Sequence, residues 1–266
     1  MFAVQFYTAS LLQDITHSFE KLYEQFHLQM TPDAMKFKAI DATRITILEG
    51  HLSRKSFESY ECSSEVNLTI RFDNLSKILN LAHRNDKLVI EGRADFDKLM
   101  LKFFDEEGKA GGKFFLNLKD DSRIDYESLE PMTFRHSVEV PSKILQKIIY
   151  DLFELDSDIV IRLDDGKAVF ELGTQYLTES QQRGDLITAN IALSDNSAQG
   201  QSSRVLIKSP GGIVQRFSSE YLKALCKPCL FFERVMCSFS ENAPMLMEYY
   251  IKNSGSIRIY IAPKLM

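Results

Sequence analysis

The chain has 266 residues, enough for two domains that each bury a core, and its apolar fraction of 44% and charged fraction of 26% are those of a folded globular protein and not of a disordered one. A formal net charge of -5 excludes binding to nucleic acid through overall positive charge, so a surface of that kind has to come from segregation of the 32 Lys and Arg. Four cysteines, Cys62, Cys226, Cys229 and Cys237, are too few for a disulfide scaffold and fit a reducing compartment, and without a basic leader or an apolar run of about 18 residues neither secretion nor a membrane span is expected.

In chain order, Phe2, Val4 and Phe6 alternate with Ala3 and Gln5, the period of a half-buried strand. Over 10–26 the period becomes helical, with Leu11, Leu12, Ile15, Phe19, Leu22 and Phe26 on one face and Gln13, Asp14, His17, Glu20, Lys21 and Glu24 off it. Pro32-Asp33 separates two short strands, at 27–30 and 35–39. Leu75, Ile78, Leu79 and Ala82 predict a second, short helix, followed by strands at 87–91, 99–104 and 113–118.

The stretch 118–132 follows neither period. It carries the acids Asp120, Asp121, Asp125, Glu127 and Glu130 against Lys119 and Arg123, and Pro131 cannot donate a backbone hydrogen bond, so it reads as an extended joint. Ile124, Tyr126 and Leu129 are apolar side chains in a segment too polar to have its own core, and both a linker packed on its own domain and a strap awaiting a partner are open.

After the joint the same order returns. Val138 and Val140 close a strand, Ser142 stands as an N-cap, and Ile144, Leu145, Ile148, Ile149, Leu152 and Leu155 make a second amphipathic helix. Asp165-Gly166 is a hairpin turn between strands at 159–163 and 169–172. With Ile15 set on Ile148, an offset of 133, the residues Leu11, Leu12, Phe19, Leu22 and Phe37 fall on Ile144, Leu145, Leu152, Leu155 and Phe170. Tyr221, Leu222, Leu225 and Cys226 predict a fourth helix ended by Pro228, with strands at 235–239, 245–251 and 257–261. The chain is a duplicated unit of two short helices and several strands, an α+β arrangement whose sheet edges invite association and can close a ring.

Catalytic patterns are missing. The histidines are scattered, and no phosphate-cradling glycine loop or nucleophile motif occurs. Cys226-Lys-Pro-Cys229 comes at a helix end, where the dipole does not activate a thiol, and lacks a second zinc-ligand pair. No enzyme activity, metal or cofactor is expected.

Phe2, the run Asp41-Ala-Thr-Arg-Ile-Thr-Ile-Leu48, Ser56-Phe-Glu-Ser-Tyr-Glu-Cys62, Leu75-Ser-Lys-Ile-Leu79, Leu222, Pro244, Glu248-Tyr249 and Tyr260-Ile-Ala-Pro-Lys264 resemble, in register along the whole chain, the proliferating cell nuclear antigen family, the eukaryotic DNA sliding clamps. The resemblance implies the DNA-clamp fold, with clamp domains at 1–117 and 136–266, an interdomain connecting loop at 118–135, and two helices backed by antiparallel sheets in each domain. It implies a homotrimeric ring in the nucleus that encircles duplex DNA without reading its sequence. It implies a processivity factor for DNA polymerase in replication and repair, placed on DNA by a clamp loader and bound by other proteins carrying a clamp-binding motif. A subunit of a heterotrimeric clamp is the alternative.

The resemblance also assigns residues. Sliding needs phosphate attraction without base readout, which falls to Lys77, Arg84, Lys143, Lys147, Lys223 and Lys227 on the helices. The first helix departs from the family by presenting Gln13, Asp14 and Glu20, and the third by Tyr150, so DNA contact is expected to be weaker than is usual there. The peptide pocket would be Ile40, Arg44, Ile45, Ile47, Pro244, Tyr260, Ala262 and Pro263, rimmed by Tyr126, Leu129 and Pro131, with Arg44 and Tyr126 departing from the usual residue types. Subunits would meet through Phe114 and Leu116 on one edge and Tyr176 and Leu177 on the other, and Asp164 stands where the family often has a modified lysine.

Overall fold

The structure, a computed structural model, describes residues 1–93, 97–119, 132–173, 187–196, 203–251 and 254–265. The chain forms two compact units, residues 1–128 with 251–258, and residues 129–250 with 259–266.

In the first unit, β1 (Phe2–Phe6), β5 (Phe57–Cys62), β7 (Lys87–Gly92), β8 (Lys98–Phe104) and β9 (Ala110–Asn117) form an antiparallel sheet in the order β5-β1-β7-β8-β9. A second antiparallel run, β4-β3-β2-β6, comprises β2 (Gln25–Met30), β3 (Ala34–Ile40), β4 (Thr46–Ser53) and β6 (Val66–Arg71). The alternation in β1 buries Phe2, Val4 and Phe6 on one face. Helices α1 (Ser10–Phe19) and α2 (Phe72–Leu79) add Leu12, Ile15, Phe19, Phe72, Leu75 and Leu79 to that core.

The ring of Phe26 sits edge-on to Phe72 and tilted against Phe37, both at 4.9 Å between centroids. Gly50 in β4 makes room for Phe37, since a Cβ there would lie 1.9 Å from the ring. Sheet and helices are thus joined through aromatic contacts that area burial alone would not orient.

The first helix is shorter than its apolar period predicts. It ends at Phe19, and two turns of chain later Phe26 is buried from strand β2. Leu22, Tyr23 and Phe26 keep a three-to-four residue spacing through a turn and a strand, which helical periodicity cannot tell from a longer helix. Ala82 likewise lies beyond the end of α2, in the loop.

In the second unit, β11 (Asp158–Asp164), β12 (Lys167–Leu172), β13 (Asn190–Ser194) and β15 (Ile213–Ser218) form the antiparallel order β13-β12-β11-β15. β10 (His136–Pro141), β14 (Leu206–Lys208), β16 (Arg234–Phe239) and β17 (Met245–Ile251) run β14-β10-β16-β17, and β18 (Gly255–Ile261) follows, residues 255–258 belonging to the first unit and 259–261 to the second. Helices α3 (Ser142–Phe153) and α4 (Ser219–Leu225) pack on each other. Ser142 is the first helical residue and makes no capping hydrogen bond, because Pro141 already holds the extended backbone of the cap position. Leu155 falls past the end of α3 and is 44% exposed.

The duplication reaches individual hydrogen bonds. Ile15 and Ile148, Leu12 and Leu145, Phe19 and Leu152, and Phe37 and Phe170 are all buried. Gln13, assigned to the polar face by its chemistry, is also buried: its Nε2 donates to the carbonyl of Leu79 at the end of α2 and to that of Ala82 in the loop after it, at 2.8 and 3.0 Å. Gln146, at the same offset in the second unit, donates from Nε2 to the carbonyl of Cys226 at the end of α4, at 3.2 Å. In both units a glutamine on the long helix adds a side-chain hydrogen bond to carbonyls at or just past the C-terminus of the short helix.

Candidate functional site

The six cations assigned to the helices do not stand alike. Lys77 on α2 and Lys147 on α3 are exposed, and each pairs with an acid one turn away, Asp73 at 3.4 Å and Asp151 respectively. Lys223 on α4 reaches Glu154 at 3.3 Å and lies 3.6 Å over the ring of Phe153. Arg84 is in the loop after α2 and not on its face; its guanidinium grips both oxygens of Asp14 on α1, at 2.6 and 2.9 Å, a contact that raises its pKa. Lys227 belongs to the 3-10 turn Lys227–Leu230 that follows α4, and not to the helix. Lys143 is exposed at the start of α3.

Within the four helices Lys77, Lys143, Lys147 and Lys223 are matched one for one by Asp14, Asp73, Asp151 and Glu220. The helices therefore carry no net formal charge. These four lysines lie on the helices and Lys227 does not; Asp14 was read as a departure on the first helix, whereas Asp73, Asp151 and Glu220 escaped sequence reading, although the i,i+4 spacing of Asp73 with Lys77 and of Lys147 with Asp151 was visible.

In the first unit, Ile40, Arg44, Ile45 and Ile47 cluster at the β3–β4 hairpin. Ile40 and Ile47 are cross-strand partners, Ile40 is 45% exposed, and Ile45 and Ile47 are half-buried. The turn between them is built on Asp41, whose buried carboxylate accepts from the backbone N–H groups of Thr43 and Thr46 and from both threonine hydroxyls. Burial pushes this carboxyl up, but those hydrogen bonds outweigh it and hold its pKa below the ordinary value. Arg44 takes positive φ, 60°, at the exposed tip. Asp41 was in the family run without a role; the structure gives it the turn.

In the second unit, Pro244 precedes β17, Tyr260 is buried in β18, and Ala262 and Pro263 follow it, exposed and half-buried. Tyr126, Leu129 and Pro131, with most of the joint, lie outside the described residues, as do Tyr176 and Leu177. The hydroxyl of the buried Tyr249, in β17, donates to the carbonyl of Leu225 at 3.0 Å, which ties the end of α4 to the strand.

At the subunit-edge candidates, β9 ends its sheet order and is paired to β8 alone among the described residues. Phe114 is half-buried against Phe103, at 5.6 Å, and Leu116 faces its own core. Phe115 is the apolar side chain this edge exposes, with the Lys113 ammonium 5.1 Å over its ring.

Cys226, Cys229 and Cys237 are buried and unbridged. The hydrogen bond to Cys229, together with burial, pushes the Cys226 thiol up, and burial does the same to Cys237. These thiols pack.

Two family descriptions match the chain end to end: the N-terminal domain of proliferating cell nuclear antigen over residues 1–128 and its C-terminal domain over residues 128–264. The chain is 27% identical over 269 residues to the proliferating cell nuclear antigen of Dictyostelium discoideum, covering 100% of both chains. It is 26% identical over 254 residues to proliferating cell nuclear antigen 2 of Drosophila melanogaster, covering 96% of this chain and 94% of that one. With both halves of the duplicated α+β unit matched in order, the chain belongs to the proliferating cell nuclear antigen family of DNA sliding clamps.

Proposed function

We propose that three copies of this chain close a ring around duplex DNA in the nucleus and act there as a processivity factor for DNA polymerase and a docking platform for replication and repair proteins. The observation that carries the reading is the duplication: two units with the same helix-to-helix glutamine bond, each matched by its own family domain. The open edge of β9 supports self-association, because an edge strand presents unpaired N–H and C=O groups to another chain. Ile40, Ile45 and Ile47 in the first unit offer apolar surface of the kind a clamp-binding peptide requires, and Ala262 and Pro263 do so in the second, each segment by itself. Such a clamp acts by tethering and performs no chemistry of its own.

Light scattering across a dilution series tests the ring. A mass of three times the 30.5 kDa chain that persists on dilution is expected. A monomer at all concentrations would overturn the homotrimer in favour of a second reading, one subunit of a heterotrimeric clamp. That second reading draws on the charge balance of the helices, which leaves this chain little positive charge of its own to hold DNA.

A further inference from the structure

Asp158 begins β11 with a side chain that is only 6% exposed, and two cations reach it. Arg216 in β15 donates from Nε at 2.9 Å and from a terminal nitrogen at 2.6 Å to Oδ2, while the ammonium of Lys264 pairs with Oδ1. A buried carboxylate needs such partners, since desolvation without them costs more than any single contact returns. Gly173 makes the space, because a Cβ at that position would lie 2.5 Å from the Cβ of Asp158.

The same residues are joined by backbone. The N–H of Lys264 donates to the carbonyl of Arg216 at 2.7 Å, so the segment after β18 bridges onto the open side of β15. Side-chain and main-chain contacts therefore fix Lys264 at two points. Ala262 and Pro263 immediately precede it and have no strand partner of their own.

We propose that Asp158 is a positioning residue for peptide docking: by holding Lys264 with Arg216 it sets where Ala262 and Pro263 stand before a partner arrives. This rests on the docking role proposed above. A peptide that meets a pre-set surface does not have to order it on binding, so the loss on releasing the anchor falls on the bound state's lifetime.

The test uses the full chain and a fluorescent synthetic peptide with one aliphatic plug residue and two aromatic residues, read by anisotropy and by stopped-flow dissociation. The variants K264M and D158N are each expected to weaken binding about tenfold, mainly through faster dissociation, and the double variant to be no weaker than D158N alone. The Lys264 side chain is 48% exposed, so K264M keeps the fold and decides the matter if D158N does not. Unchanged dissociation in K264M, while I45S abolishes binding, would overturn the positioning role and leave the docking surface standing. Failure of the unaltered chain to bind the peptide would remove the docking surface and this inference with it. Independent, additive losses in the double variant would also count against it, since they would mean that Asp158 and Lys264 do not act through one contact.

Discussion

Arg84 holds Asp14 through two parallel hydrogen bonds, 2.6 and 2.9 Å, linking the loop after α2 to the exposed side of α1. A bidentate guanidinium–carboxylate pair is among the more persistent surface contacts, and it withdraws from DNA one of the cations that a sliding clamp would use.

Neutralising the acids should therefore strengthen DNA retention. D14N and D151N together are expected to raise affinity for duplex DNA and to steepen the dependence of log K on log salt by about 0.9 for each cation that then meets a phosphate. Charge reversal at Lys77, Lys147 and Lys227 should do the opposite with the fold intact. Retention on circular DNA over a salt series checks both, and retention indifferent to all of these changes would remove the helices as the DNA face.

Polar substitution at the docking segments should abolish peptide binding without unfolding either unit. I45S acts on the half-buried face of the β3–β4 hairpin and P263S on the segment after β18. Calorimetric titration with a clamp-binding peptide is expected to show no heat for either variant, and binding as tight as that of the unaltered chain would show that the peptide docks elsewhere.

Asp41 should make stability depend on pH. Burial pushes its carboxyl up but the Thr43 and Thr46 hydrogen bonds outweigh burial, so its folded pKa lies below the unfolded value of about 3.9. Its contribution is then complete above that unfolded value and lost as pH falls through the folded one. D41N is expected to cost about 2 kcal/mol at pH 7 and to shrink in effect toward pH 3. Urea unfolding at both values measures it, and a cost that does not change with pH would rule out the carboxylate as its source.

Gln13 and Gln146 should differ in weight although they are equivalent in place. Gln13 is buried and serves two carbonyls, whereas Gln146 is half-buried and serves one. Q13L is expected to destabilise by about 2 kcal/mol and Q146L by about 1 kcal/mol. Thermal unfolding of each variant reports the order, and the reverse order would mean that these carbonyl contacts do not set the weight of the two glutamines.

Local pattern was sufficient for the alternation of Phe2, Val4 and Phe6, the two long helices, the Asp165-Gly166 hairpin and the offset of 133 that pairs Ile15 with Ile148. Each of these is written in the spacing of apolar residues or in a turn that few residue types can make. The family run containing Asp41, Ile45 and Ile47 is legible in the sequence, and it falls at the β3–β4 hairpin. Spacing could not show that the first helix stops at Phe19, because Phe26 keeps the helical interval while lying on a strand.

Chemistry misassigned Gln13, a polar residue on an otherwise solvated face, because its partners are carbonyls at and just past the far end of another helix, 66 and 69 residues away in the chain. The partners of charge were hidden for the same reason. Arg84 meets Asp14 across 70 residues, and Lys264 meets Asp158 across 106, distances at which sequence carries no pairing signal. Composition fixes how many cations the helices have; which of them remain available to a phosphate, and which hold the chain's own acids, is decided by tertiary structure, because Coulomb attraction depends on separation in space and not along the chain.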